Sequence, residues 1–154
     1  MPKAADVAAS RGLRASALTD DLSFLLARAN AIALAAGNAA LSEHGLKARS
    51  YSVLVLTSGD ARPSQRELAE FLRLDPSQVV SLVDDLQARR LVERQPDPAD
   101  RRANVVVATE AGRALVVAAG EAARAAEERV HGDLSESERA TLATLLRTLA
   151  FPSD

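Results

Sequence analysis

The chain has 154 residues and a formal net charge of −2, enough length for one domain with a full core and enough acidity to exclude a broadly basic, non-specific nucleic-acid binder. It has no cysteine and two histidines, His44 and His131, which excludes disulfides and thiol chemistry and leaves no ligand spacing for a metal, no cofactor motif and no catalytic cluster, so no enzyme is expected. The N-terminus has no signal-type apolar segment, and charges are expected to interrupt the other apolar stretches short of the roughly 20 residues of a membrane span, which implies a cytoplasmic chain without a membrane partner.

Residues 1–18, rich in Ala, Ser and Arg without a period, read as a flexible N-terminal arm; Arg11 and Arg14 are its candidates for touching DNA. Thr19 reads as the N-cap of a long helix with Asp20 and Asp21 in its first turn. Apolar residues then recur at Leu22, Leu25, Leu26, Ala29, Ile32, Ala33, Ala36, Ala39 and Ala40, and the helix ends near His44-Gly45. Its stripe is mostly alanine, which lets another helix approach closely, so the helix needs a partner.

A second helix near 47–58 carries Tyr51, Leu54 and Val55 and stops at Gly59. Arg62-Pro63 predicts a short extended link, because a residue before proline is pushed out of the helical region. Ser64-Gln65-Arg66-Glu67 is a capping box starting a helix to about Leu72. Three residues later Asp75-Pro76-Ser77-Gln78 supplies cap, helix-compatible proline and box residue for the next one. In that helix Val79, Leu82, Val83 and Leu86 share a face, leaving Ser77, Gln78, Ser81, Asp85 and Gln87 outward. Two short helices around a tight turn, the second with a small polar outer face, make a helix-turn-helix candidate.

Leu91 to Gln95 and Asn104 to Ala108 read as two strands, a hairpin placed directly after the recognition-type helix, which makes it a winged helix. The hairpin tip holds two prolines and two aspartates, which set turn geometry, and Arg101-Arg102, which a solvated turn does not need. Residues 89–102 together hold five arginines against three acids, a local cation density suited to phosphate. Thr109 caps a further helix with Leu115, Ala119, Ala122, Ala123, Ala126 and Val130 on one face. Ser135-Glu136-Ser137-Glu138 is a third capping box, opening a last helix with Leu142, Leu145, Leu146 and Leu149. The fold class expected is mainly α, a winged helix-turn-helix with long N- and C-terminal dimerisation helices, in the order αα(β)ααββαα. Its units are residues 19–46 and 114–154 for dimerisation and 47–113 for DNA binding.

Four stretches together, LKARSYSVLVLTSG, SQRELAEFLRLDPSQVVSLVDDL, LVERQPDPADRRANVVVATEAG and LSESERATLATLLRTL, resemble the MarR family, the multiple antibiotic resistance type of transcriptional regulator, over about residues 19–150. The resemblance implies a homodimer that binds double-stranded DNA at a pseudo-palindromic operator as a transcriptional regulator, a repressor by expectation, with interlocked terminal helices. It also implies that Asp100 and Arg102 form the family's Asp-x-Arg pair, the aspartate orienting the arginine and stiffening the wing. Two positions depart from the pattern: Arg90 stands where the family commonly has glycine, requiring a left-handed non-glycine residue, and Asp84-Asp85 put acid at the reading helix.

In such a dimer phosphate contacts hold register and base-edge contacts select sequence. Ser77, Gln78, Ser81 and Asp85 are the candidates for base contact, Gln78 through a bidentate pair with adenine and Asp85 by accepting from a cytosine amino group unless Arg89 offsets its charge. Asp100, Arg101 and Arg102 are the wing candidates, the cations suited to a narrow minor groove. Arg62, Arg66, Arg73 and Arg94 are candidates for phosphate contact, with solvated helix and strand faces as the other reading. Relatives of this type often release DNA when a small aromatic or anionic effector binds between the dimerisation helices and the reading head; His44 and Tyr51 could line such a pocket, with a helix C-terminal residue favoured by the dipole and an amphipathic core residue as the more ordinary readings of the two. A second class of function stays open: a winged helix that binds a partner protein and not specific DNA.

Overall fold

The structure, a computed structural model, describes residues 13–100 and 102–152. Six α-helices and one antiparallel hairpin follow one another among them: α1 (Leu22–Leu41), α2 (Ala48–Ser58), α3 (Gln65–Leu72), α4 (Pro76–Ala88), β1 (Val92–Pro96), β2 (Asn104–Ala108), α5 (Glu110–Val130) and α6 (Glu136–Ala150). This is the expected winged helix-turn-helix framed by long terminal helices.

The start of α1 differs from expectation. Ser16 caps a 3-10 turn over Ala17–Asp20, the Thr19 hydroxyl donates to the Ser16 carbonyl at 2.8 Å, and the cap of α1 is Asp21, whose carboxylate accepts from Phe24 N–H at 2.7 Å. A carboxylate meets the positive end of the helix better than a hydroxyl does. Of the proposed arm, residues 1–12, Arg11 included, lie outside the described residues. Arg14 is exposed.

The expectation that charges interrupt every long apolar stretch fails at α1. Leu22–His44 has a mean hydropathy of 1.4 and the length to cross a bilayer by composition alone, with 6% of that window buried. One face nonetheless lies along α5, where Ala33, Gly37 and Leu41 approach Ala123, Ala126 and Val130. Gly45 (φ 64°) closes the helix: its left-handed turn sends Leu46 N–H back to the Leu41 carbonyl at 3.1 Å, a conformation that favours glycine. Asn38 on α1 accepts from Ala48 N–H at 2.8 Å and so replaces the side-chain cap that Lys47 does not give α2.

Both capping boxes of the helix-turn-helix form as read, and so does the third at Ser135. Hydrogen bonds from Ser64 N–H and hydroxyl hold the Glu67 carboxyl below its ordinary range, and those from Ser135 do the same to Glu138. Arg62 departs from the predicted extended link, with φ 45°. The turn aims its guanidinium inward, where Nη2 donates to Gln95 Oε1 at 2.6 Å. Arg90 takes the left-handed conformation foreseen for it (φ 59°), as does Arg73 (φ 52°), each at about 1 kcal/mol relative to glycine.

Strand β1 pairs with β2 in the register Val92↔Ala108, Arg94↔Val106, Pro96↔Asn104. The bracketed strand of the expected order is a single bridge, Ser64↔Val105, reinforced by Val106 N–H to Pro63 O at 2.8 Å. The core lies inside the winged helix-turn-helix: Val53, Leu54, Leu68, Val79, Val83, Leu86, Val92 and Val106 are at most 1% exposed and join one cluster with Leu41, Leu46 and Ala119. At roughly 1.5–3 kcal/mol per buried aliphatic side chain, these contacts make helix-turn-helix and wing one body. Helix α6 has no buried residue at all.

Candidate nucleic-acid interface

The recognition helix α4 is anchored by Val79, Val83 and Leu86, all fully buried, and this fixes which residues face away. Ser77, Gln78, Ser81, Asp84 and Asp85 are exposed. Val80 is exposed too, at 40%; it was missed because an apolar residue beside Val79 reads as core. An apolar side chain on a reading helix suits a thymine methyl group.

The polar atoms of this face are partly engaged. The Ser77 hydroxyl and N–H both donate to Asp75 Oδ1, at 2.5 and 2.8 Å, and hold that carboxyl below its ordinary range. Ser81 donates to the Ser77 carbonyl at 3.1 Å. Gln78 Oε1 accepts from Asp75 N–H at 3.4 Å, so its amide NH₂ is ready to donate whereas a bidentate pair would require the long cap bond to open. Asp85 accepts from Arg89 Nη1 at 3.4 Å, one turn on, the charge offset considered from sequence.

At the wing tip the Asp100 carboxylate accepts from the backbone N–H of Arg102 at 3.0 Å, while Ala103 N–H donates to Asp100 O at 2.9 Å and Asp97 N–H to Ala103 O at 3.0 Å. The aspartate thus orients the arginine through the main chain: no Asp100–Arg102 ion pair occurs among the described residues. The Arg102 side chain is exposed. Arg101 lies outside the described residues.

The four candidate phosphate ligands separate into two pairs. Arg66 and Arg73 are exposed on the helix-turn-helix; Arg66 is held by Glu70 at 2.8 Å, whose hydrogen bond and charge raise its already high pKa. Arg62 and Arg94 point inward to partners within the lobe.

Tyr51 opens onto a cavity of about 290 Å³ that it shares with Gly37, Ala123, Glu127 and His131, not with His44. His44 ends the 3-10 turn after α1. A wider cleft of about 670 Å³ runs between Leu34 and Asn38 of α1, Lys47, Arg49 and Ser50 at the start of α2, and Gln78, Ser81, Leu82 and Asp85 of the recognition helix. Its cations were missed because Lys47 and Arg49 look like ordinary surface residues until α1 is laid across them. Among the described residues no group of three His, Asp or Glu side chains converges on a point that could hold a metal.

Residues 44–103 match the MarR family model. The solved structure of a MarR-family transcriptional regulator from Rhodococcus sp. RHA1 is 41% identical, with a TM-score of 0.80 over 90% of this chain and 100% of that one. The chain belongs to the MarR family. It therefore carries that family's DNA-binding winged helix-turn-helix fold. CouR from Rhodococcus jostii RHA1, solved with p-coumaroyl-CoA, is 42% identical with a TM-score of 0.79, covering 91% of this chain and 99% of that one. The transcriptional repressor NicR of Pseudomonas putida is 40% identical over 86 residues, 56% of this chain; the match spans about half of that repressor's length, 54%.

Proposed function

We propose that this MarR-family regulator is a cytoplasmic homodimeric repressor that binds a pseudo-palindromic operator and is released by an aromatic, anionic effector. The observation that carries the DNA reading is the joint orientation of one rigid lobe: an apolar-anchored helix with its polar face outward, and beside it a wing whose Asp100 fixes the backbone of an exposed Arg102. Ser77, Gln78, Val80, Ser81 and Asp85 would meet base edges, Asp100, Arg101 and Arg102 would form the minor-groove wing, and Arg66 and Arg73 would meet phosphates. A CouR repressor, 28% identical with a TM-score of 0.78, has been solved on a 23-mer duplex, which supports the same use of this head.

Selection of bound duplexes from a random library should recover an inverted repeat with half-sites about one helical turn apart. On that operator Arg102→Ala should lower affinity about tenfold and make the salt dependence shallower by about one unit of log–log slope, with unchanged circular dichroism. Failure to enrich any sequence would favour the protein-interaction reading.

The wider cleft suits the effector. Lys47 and Arg49 offer charged donors to a carboxylate or phosphate, and Leu34 and Leu82 an apolar wall. Gln78, Ser81 and Asp85 border this cleft while belonging to the reading face, so occupancy there would compete with base contact. CouR binds p-coumaroyl-CoA, an aromatic anion of the required kind. Adding p-coumaroyl-CoA to the operator complex should release the DNA, and a Lys47→Ala/Arg49→Ala variant should retain its DNA at the same ligand concentration. Equal release from both proteins would remove the effector from this cleft.

A further inference from the structure

Arg94 sits in the middle of β1, opposite Val106, and its guanidinium is spent on three acceptors from two other elements. Nε donates to Gln65 Oε1 at 2.8 Å, Nη1 to Gln87 Oε1 at 2.7 Å and Nη2 to Asp84 Oδ1 at 2.5 Å. Gln65 is the first residue of α3, and Asp84 and Gln87 lie on neighbouring turns of the recognition helix. Among the described residues the bonds to Asp84 and Gln87 are the side-chain hydrogen bonds joining β1 to α4, and the one to Gln65 ties β1 to α3.

We infer that Arg94 is a positioning residue that sets the wing's distance and angle relative to the recognition helix, and hence the spacing of major- and minor-groove features in the operator; this rests on the DNA-binding reading above. Arginine's rigid, planar fork presents three separate nitrogens to these acceptors in fixed directions, whereas lysine's three donors sit on one nitrogen at the end of a flexible stem. The geometry also accounts for the acid at position 84 of a DNA-reading helix: Asp84 is the anchor for Arg94. Leverage makes the joint matter. Four extended residues from Arg94 toward the tip span about 13 Å, so a tilt of about 10° at the root moves the tip by about 2 Å, more than a hydrogen bond tolerates.

The test uses the full-length protein and its selected operator. Arg94→Lys and Arg94→Ala should both lose about tenfold in operator affinity or more while keeping the wild-type salt slope and the wild-type affinity for scrambled DNA. A phosphate contact would behave otherwise: the lysine variant would keep its affinity and the alanine variant would have a shallower slope, and that pattern overturns the inference. Asp84→Asn, exposed enough to fold regardless of how Arg94 variants fare, gives the opposite sign to simple electrostatics. Removing an acid from a DNA face should strengthen binding, whereas loosening the wing should weaken it. Stronger operator binding by Asp84→Asn therefore sinks the positioning role alone; a wild-type protein that selects no operator sinks the DNA reading and this inference with it. Arg102→Ala should also cost less in the Arg94→Ala background than in the wild type, because a displaced wing has less contact to lose; fully additive losses count against the joint.

Discussion

Leu145→Glu/Leu149→Glu is expected to turn the protein into a monomer and abolish tight operator binding. Both leucines lie on α6, the helix with no buried residue, and are 59% and 67% exposed in the single chain. Leu22, Leu25, Leu26 and Ile32 leave a second apolar face open on α1. A 15-residue helix that buries nothing is marginal in water, so α6 needs a covering surface. In the proposed homodimer a second copy would supply it: a two-fold interface would bring four of the substituted leucines together. At about 2 kcal/mol each for transfer out of water, their loss removes roughly 8 kcal/mol, the whole association energy of a micromolar dimer, before any cost of burying carboxylates. Analytical ultracentrifugation should report a single chain at micromolar concentration, and operator affinity should fall by at least about a hundredfold because one head reads only one half-site. A variant that sediments as a dimer would assign the leucine face to some other partner and return the interface to α1.

The elements were legible because their ends are chemically marked. Three capping boxes, at Ser64, Asp75 and Ser135, placed three helix starts to the residue, and Thr109 placed a fourth. Where two caps compete, as Thr19 and Asp21 do, local chemistry alone did not choose, since a 3-10 turn satisfied the first and left the helix to the second. Arg62 shows the other limit. Preproline sterics favour an extended residue, but a guanidinium anchored on Gln95 across the lobe holds it left-handed.

The candidate site was legible to the same depth. The outward face of α4 follows from helical period plus buried anchors, so the exposure of Ser77, Gln78, Ser81 and Asp85 was legible, while that of Val80 and Asp84 was missed. Sequence could not tell a cation that faces solvent from one that faces an acceptor folded against it: Arg66 and Arg94 read alike in the chain, and only the packing of β1 on α3 and α4 separates them. The cleft was hidden for a related reason. It is made by α1 crossing the start of α2, a tertiary event that leaves no local mark on Lys47 or Arg49.

Gly112→Ala should destabilise the fold by about 2 kcal/mol or more, against the direction helix propensity gives. Gly112 is the third residue of α5, where alanine would ordinarily gain about 1 kcal/mol over glycine. Space forbids it here. A methyl group built on Gly112 would overlap the Leu91 carbonyl oxygen far inside contact distance, with the Leu91 carbonyl carbon at 3.0 Å and Ala108 Cβ at 3.4 Å behind it. The obstacle is backbone, and it is held from several sides. Thr109 N–H donates to Leu91 O at 3.0 Å, the Thr109 hydroxyl donates to Arg90 O at 2.8 Å, and Gly112 N–H closes the clamp by donating to that hydroxyl oxygen at 3.1 Å. The Thr-x-x-Gly run thereby fastens the first turn of α5 onto the turn that joins α4 to β1, linking α5 to the winged helix-turn-helix. Moving Leu91 enough to admit a methyl group would break this clamp, a strain of about 1–3 kcal/mol on top of the lost hydrogen bonds, which exceeds the propensity gain. Gly120→Ala, in the same helix, meets nothing nearer than the Tyr51 hydroxyl at 3.5 Å and should be neutral or stabilising by up to about 1 kcal/mol. Paired urea melts of the two variants separate the causes: a Gly112→Ala protein as stable as Gly120→Ala would mean that α5 starts freely of the turn beneath it, and that the link between α5 and the winged helix-turn-helix runs elsewhere.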